Sequence, residues 1–261
     1  MITPITEDWN PETYAKFRGF RLRPAMDLLA QVPDLPKGDI VDLGCGNGPV
    51  GAALAVRFAG RVLTGVDSSP AMLVKARETG AYSQLIEADA NIWVSDTSPA
   101  LIFSNALCHW LPDHEALFTR FAGMLAKGGV LAVQMPRQFA APSHQALRDI
   151  AAALFPDRFD YTGWRAPVAP PQSYANMLAP LGELSVWETD YIQRLAPVET
   201  GHPVRHFTES TALRPIAEKL SEAELKCFIA AYEEVLAGYY PPENDGSVLF
   251  PFKRVFFTLV V

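Results

Sequence analysis

Four side chains able to accept hydrogen bonds close apolar runs in the first half of the chain: Asp42, Asp67, Asp89 and Asn105. Gly44, Gly46 and Gly48 follow the first of them at alternate positions. Glycines at a strand-to-helix turn let the backbone approach a ligand with no Cβ in the way. A carboxylate beside such a turn repels a phosphate by roughly several kcal/mol, and the spacing is not the G-x-G-x-x-G that cradles a pyrophosphate. An NAD-dependent oxidoreductase is therefore disfavoured. A cationic, amine-bearing ligand without phosphate is preferred, and S-adenosylmethionine, with its sulfonium, α-ammonium, ribose diol and adenine amine, meets the description. Asp42 is then expected near the ammonium, Asp67 on the ribose hydroxyls and Asp89 on the adenine amine.

These residues need strands that end side by side. Ile40 to Leu43 reads as the first strand, with a helix from about Val50 to Phe58 after the glycines. Arg61 to Asp67, Ser83 to Glu87, Leu101 to Asn105 and Val130 to Gln134 read as the next four strands. Ser68-Ser69-Pro70 opens one intervening helix, and Leu117, Phe118, Phe121, Met124 and Leu125 mark another at helical spacing. Alternating strands and helices predict a parallel α/β sheet with helices on both faces, whose carboxyl edge gathers the four acceptors.

Past Met135 the alternation stops. Ser143 to Leu154 reads as a helix, Leu184 to Leu195 as a strand, and Val255 to Val261 as a buried last strand. Ser221 with Glu224 forms a capping box for a helix whose apolar face carries Leu225, Phe228, Ile229, Tyr232, Val235 and Leu236. The expected organisation is one domain over 1–261. Its core is about 34–135, 183–195 and 251–261, and a largely helical cap comes from about 136–182 and 196–250 with N-terminal helices in 8–33.

The 22 basic and 29 acidic residues, a net charge of -7, argue against a nucleic-acid or anionic-membrane binder. No targeting or membrane-spanning run is visible, so the expected compartment is the cytoplasm. Cys45, Cys108 and Cys227 have no metal-ligand spacing and are read as small, partly buried side chains; the histidines form no metal constellation. The sequence is silent on oligomeric state.

The glycine and acid spacing over about 38–135 resembles the class I S-adenosylmethionine-dependent methyltransferases. That resemblance implies a Rossmann-like, seven-stranded, mostly parallel sheet with an antiparallel last strand. It also implies that Ser68 stands beside the ribose acid, that Met72 packs on the adenine, that Ala90 meets it through its backbone, and that Asn105 and Trp110 border the methionine end. Within the class the chain is similar to the trans-aconitate 2-methyltransferases. The residues that carry this are Asp8-Trp9-Asn10-Pro11 with Tyr14, Arg21-x-Arg23-Pro24-Ala25, Asp67 to Met72, Glu87-Ala88-Asp89, Trp110 to His114, Leu131 to Pro136, Leu213-Arg214-Pro215 and Phe250-Pro251 with Arg254. Arg137-Gln138 departs from the acidic-amide pair expected after Pro136, and Thr200 to Glu209 matches poorly.

The implied reaction is methyl transfer to a carboxylate of trans-aconitate, a small polycarboxylate, giving its monomethyl ester with S-adenosylhomocysteine as the other product. Three carboxylates call for guanidinium groups, which bind them bidentately. Arg21, Arg23, Arg214 and Arg254 are the expected cations, with Tyr14 orienting the acid; Arg18, Arg137 and Lys253 are weaker candidates. A carboxylate is ionised at neutral pH, so no catalytic base is expected. His109 and His114 are read as structural. The alternatives are another small carboxylate, such as a malonyl thioester, or a non-catalytic protein that binds S-adenosylmethionine.

Overall fold

The computed structural model describes residues 22–209 and 211–261. Tyr14, Arg18 and Arg21 lie outside the described residues. Two compact units emerge: the described residues up to Met135 with Pro170–Trp187 and Val255–Val261, and Pro136–Ala169 with Glu188–Arg254.

Helix α1 (Arg23–Ala30) precedes β1 (Ile40–Leu43), and α2 (Gly51–Arg57), β2 (Leu63–Asp67), α3 (Pro70–Glu78) and β3 (Gln84–Glu87) follow in strict alternation. Next come β4 (Leu101–Asn105), a short 3-10 turn (Cys108–Trp110), α4 (His114–Met124) and β5 (Val130–Pro136). Leu101 to Phe103 and Val130 to Val133 are fully buried, the run of apolar residues that a strand covered on both faces requires.

The sheet order is β3-β2-β1-β4-β5-β7-β6, with β1 parallel to both β2 and β4. Chain order therefore reverses between β1 and β4. Right-handed crossovers then place α2 and α3 on one face and α4 on the other. A sheet of this kind binds ligands at the carboxyl ends of the strands flanking the reversal, which here are Leu43 and Asn105.

Strand β2 starts at Leu63, later than the expected Arg61, whose guanidinium donates to the carbonyls of Leu35, Pro36 and Gly38. The terminal strand β7 (Val248–Val260) begins earlier than expected. Pro251 hid its first half in the sequence. Yet Val248 and Phe250 are buried while Leu249 and Pro251 are exposed, the alternation of a strand with one covered face. Along β5 and β7 the pairing runs oppositely, from Gly128 N–H on Val261 O to Arg137 N–H on Lys253 O, so the last strand is antiparallel.

The second unit contains α5 (Pro142–Leu154), the distal part of β6 (Glu183–Leu195), α7 (Pro203–Glu209), α8 (Arg214–Ala217) and α9 (Glu222–Tyr239); α6 (Pro171–Leu178) belongs to the first. Leu147, Phe159, Val204, Phe228, Tyr232, Leu236 and Phe250 share its core. The Ser221 and Glu224 capping box is formed on both sides, and Phe228, Tyr232 and Leu236 bury the face that their spacing marks. Tyr232 donates from its hydroxyl to Ser143 O at 3.1 Å, tying α9 to α5.

Candidate active site

The carboxyl edge of β1, β2 and β4 carries the glycine turn. Gly44 and Gly46 have φ of 77° and 54°, a region that costs a side-chain-bearing residue but not glycine. Their surroundings differ. A Cβ on Gly44 would lie 2.7 Å from the Leu107 side chain, whereas one on Gly46 would meet nothing within 4 Å. Of the turn glycines Gly44, Gly46 and Gly48, only Gly46 thus combines a left-handed backbone with an open face.

Asp67 fixes that glycine. Its Oδ2 accepts the Gly46 N–H at 2.8 Å and its Oδ1 the Ser69 N–H at 2.9 Å. Each carboxylate oxygen has a second lone pair, so the group can still accept two hydroxyls. Ser68 is exposed beside it, and Ser69 caps α3 by accepting from Met72 N–H. Met72 itself is exposed on the first turn of that helix.

Asp42, expected near the ammonium, is 2 % exposed, and its Oδ2 accepts the Tyr82 hydroxyl at 2.7 Å. Burial pushes its pKa up to about 7; the Tyr82 hydrogen bond opposes the rise and the Asp67 charge adds to it. The ring of Tyr82 is a contact that sequence pattern did not reveal. Gly65, inside β2, is the available signal: a glycine in a strand marks a close approach, and a Cβ there would stand 2.9 Å from that ring.

Asp89 is exposed and accepts Asn91 N–H at 2.8 Å, opening a turn in which Ala90 is buried. Arg120, on α4, holds this turn from below through the carbonyls of Ala90, Asn91 and Trp93. It too escaped the sequence reading, because it stands among the apolar residues of an amphipathic helix.

Asn105 closes β4. Its Oδ1 is buried and accepts no hydrogen bond among the described residues. The chain then turns sharply at Ala106, with a positive φ of 57°, into the 3-10 turn that exposes Trp110 and buries His109 against its ring. His114 supports that turn. Its Nε2–H donates to Cys108 O at 2.9 Å and its Nδ1 accepts the Tyr174 hydroxyl at 2.7 Å. Burial lowers its pKa, against the opposing pull of Cys108 O and Asp113, which keeps the ring neutral in this structural role. Phe118 and Tyr174 pack against its ring, and Phe257 packs against both of them.

A family profile described as "Methyltransferase domain" matches residues 14–182. The trans-aconitate 2-methyltransferase of Methylobacterium radiotolerans is 40% identical over 255 residues, covering 95% of this chain and 96% of that one. The enzyme of the same name from Escherichia coli strain K12 / DH10B is 38% identical over 251 residues, covering 95% and 96%. This chain belongs to the trans-aconitate 2-methyltransferase family. Its fold is shared with the YcgJ protein of Bacillus subtilis, with a TM-score of 0.54 at 13% identity over 90% of this chain and 96% of that one. It is shared also with Haemonchus contortus phosphoethanolamine N-methyltransferase 2, solved with S-adenosyl-L-methionine, with a TM-score of 0.52 at 16% identity over 95% of this chain and 56% of that one.

The arginines singled out by the family resemblance are not equivalent. Arg23 is exposed on α1 with Asp27 one turn along at 3.7 Å. Arg214 is exposed on α8 and bonded to Glu218 at 2.7 Å, a pairing that raises its pKa. Arg254 is half-buried over the Phe252 ring, 4.5 Å from its centroid; burial pulls its pKa down to about 10 against the opposing influence of Tyr191, and it stays charged at neutral pH. Arg137 and Lys253 are committed to carboxylates of β6, Arg137 to Glu188 and Lys253 to Glu188 and Asp190 at 3.0 and 3.2 Å. Gln138, at the departure from the family pattern, is buried and bridges Pro251 O and Lys253 N–H. Of the three cysteines, all read as partly buried, Cys45 and Cys108 are buried and Cys227 is exposed instead.

Proposed function

We propose that this chain transfers the methyl group of S-adenosylmethionine to a carboxylate of trans-aconitate, giving the monomethyl ester and S-adenosylhomocysteine. The observation that carries the reading is identity of about two residues in five along nearly the whole chain to enzymes named for that reaction. The first unit offers a fitting donor and acceptor set for the cofactor: the open face of Gly46, the spare lone pairs of Asp67 and the buried Oδ1 of Asn105. Gly44, Ser68, Met72, Asp89, Ala90 and Trp110 complete the proposed set, with Asp42 supporting the turn from beneath. When bound, the sulfonium supplies an electrophilic methyl group.

The chain's own task is to orient the acid and exclude water. The attacking carboxylate is ionised at neutral pH and needs no base, so proximity and orientation supply the rate. We assign Arg254 as the principal cation for the acid, since a half-buried guanidinium stacked on a ring keeps its direction. Arg23 and Arg214 are secondary, and Tyr14 and Arg21 complete the assignment from the sequence. We further propose that the chain serves as one methyltransferase domain, the first unit bearing the cofactor residues and the second bearing Arg214 and Arg254. The proposed compartment is the cytoplasm, in keeping with three free cysteines. Among the described residues no helix is long and apolar enough to cross a membrane.

The test is incubation of purified protein with methyl-labelled S-adenosylmethionine and a panel of acids. Label is expected in an extractable ester of trans-aconitate. Ester formed only from another acid would move the substrate assignment while leaving the cofactor in place.

A further inference from the structure

Two of the glycines around the turn are shaped by a side chain. A Cβ on Gly48 would stand 3.1 Å from the Tyr82 ring, and one on Gly51 would stand 2.6 Å from the ring and 2.7 Å from the hydroxyl. Gly65 meets the same ring at 2.9 Å from below. The aromatic ring therefore fills a slot bounded by the turn, the start of α2 and the middle of β2. Its hydroxyl ends on Asp42 Oδ2 at 2.7 Å. On the other side the turn is held by Asp67 through Gly46 N–H and by Leu107 under Gly44.

We propose that Tyr82 is a positioning residue for the cofactor: its ring props Gly48 and Gly51 and its hydroxyl anchors Asp42, so that the Gly44–Gly48 backbone is held with Gly46 open for the ligand. Tyr82 does not touch the cofactor in this assignment. It acts through the backbone it supports, which is why its loss is felt in cofactor affinity and not in the chemical step. The inference rests on the cofactor reading given above.

Above about pH 7, where Asp42 is ionised in the folded chain, its charge makes the hydroxyl specific. A hydrogen bond to a carboxylate is roughly twice as strong as one between neutral groups, and a phenylalanine in the same slot would leave that carboxylate buried without its hydroxyl partner. The ring would still fill the space left by the glycines. Y82F therefore separates anchoring from packing.

The experiment titrates S-adenosylhomocysteine into wild type, Y82F and Y82L by calorimetry, with circular dichroism to establish folding and amide hydrogen exchange over residues 43–51 without ligand. Y82F is expected to fold, to bind about tenfold more weakly and to exchange the turn amides faster, with cofactor KM raised and kcat and the KM for the acid held within about twofold. Y82L, which also empties the slot, is expected to bind more weakly still; should it not fold, Y82F alone decides. D42N combined with Y82F should cost less than the two changes added together, since both remove the same bond. Unchanged affinity and exchange in Y82F would overturn the inference, as would a fall in kcat with cofactor KM unaltered. Wild-type protein that takes up no S-adenosylhomocysteine would overturn the cofactor reading itself, a different outcome.

Discussion

The edge of β1 and β2 and the charged surface of the second unit hold their polar groups in opposite ways. At the edge, Asp42 and Asp67 are fixed by short bonds from a hydroxyl and from backbone N–H groups, and neither faces a cation there among the described contacts. In the second unit, Arg137, Arg158, Arg205 and Arg214 all end on carboxylates. An acceptor bound only by hydrogen-bond donors, as Asp67 is, keeps spare lone pairs for a ligand that brings hydroxyl or ammonium groups. A guanidinium already paired has spent its bidentate face. Among the cations of the second unit the proposed contact for the acid is Arg254, half-buried over Phe252 and marked also by the family resemblance.

The most severe test of the first half of this contrast is D67A. It removes the acceptor of two backbone N–H groups and the proposed ribose ligand together. Cofactor affinity is expected to fall by about 100-fold, on the order of two lost charge-assisted hydrogen bonds. Calorimetry with S-adenosylhomocysteine measures it. Binding within a few-fold of wild type would show that the edge acids are structural only.

Contacts at this edge were legible in the sequence where they are local. The run from Ile40 to Gly48 spells strand and turn in nine residues with the helix directly after it, and Asp67 follows one βαβ crossover later. What stayed hidden is carried by partners far along the chain. Tyr82 reaches Asp42 from 40 residues away, Arg120 reaches Trp93 from 27, and Tyr174 reaches His114 from 60. No periodicity encodes such pairs, because each depends on which strands become neighbours. Spacing alone put Asp42 at the turn but said nothing of its burial; the slot that Gly65 leaves for Tyr82 brings a hydroxyl onto that carboxylate. The arginines suffered the same loss. Their number and positions are visible, but whether a distant carboxylate such as Glu188 is waiting for Arg137 is settled only by the fold.

A smaller effect separates the cations of the second unit. R254K keeps the charge and loses the planar fork, and is expected to raise the KM for trans-aconitate by about tenfold with cofactor KM unmoved. R214A, already paired with Glu218 on an exposed helix, is expected to change it by no more than about threefold. Steady-state kinetics on both variants orders them. A larger effect from R214A than from R254K would reverse the assignment and show that exposure, not stacking, marks the working cation.

The smallest expected effect concerns stability and comes from the buried member of the edge pair. Asp42 has its pKa raised from 3.8 to about 7, chiefly by burial, with Tyr82 opposing and Asp67 contributing. Below about pH 4 the group is protonated in both folded and unfolded chains and costs nothing through this linkage. As pH rises toward 7 the unfolded chain ionises while the folded one still holds its proton, so folding stability is lost across that window; above it the penalty is constant. D42N cannot ionise and escapes the penalty. Measured as the difference in Tm between D42N and wild type, the variant should gain by a few degrees between about pH 4 and pH 7 and gain no more by pH 8. The trend is the readout, since the new amide shifts both ends of the curve equally. A Tm difference that stays flat with pH would mean that Asp42 keeps an ordinary carboxylate in the folded chain, and the distinction drawn between the buried acid and the ligand-facing Asp67 would then rest on geometry alone.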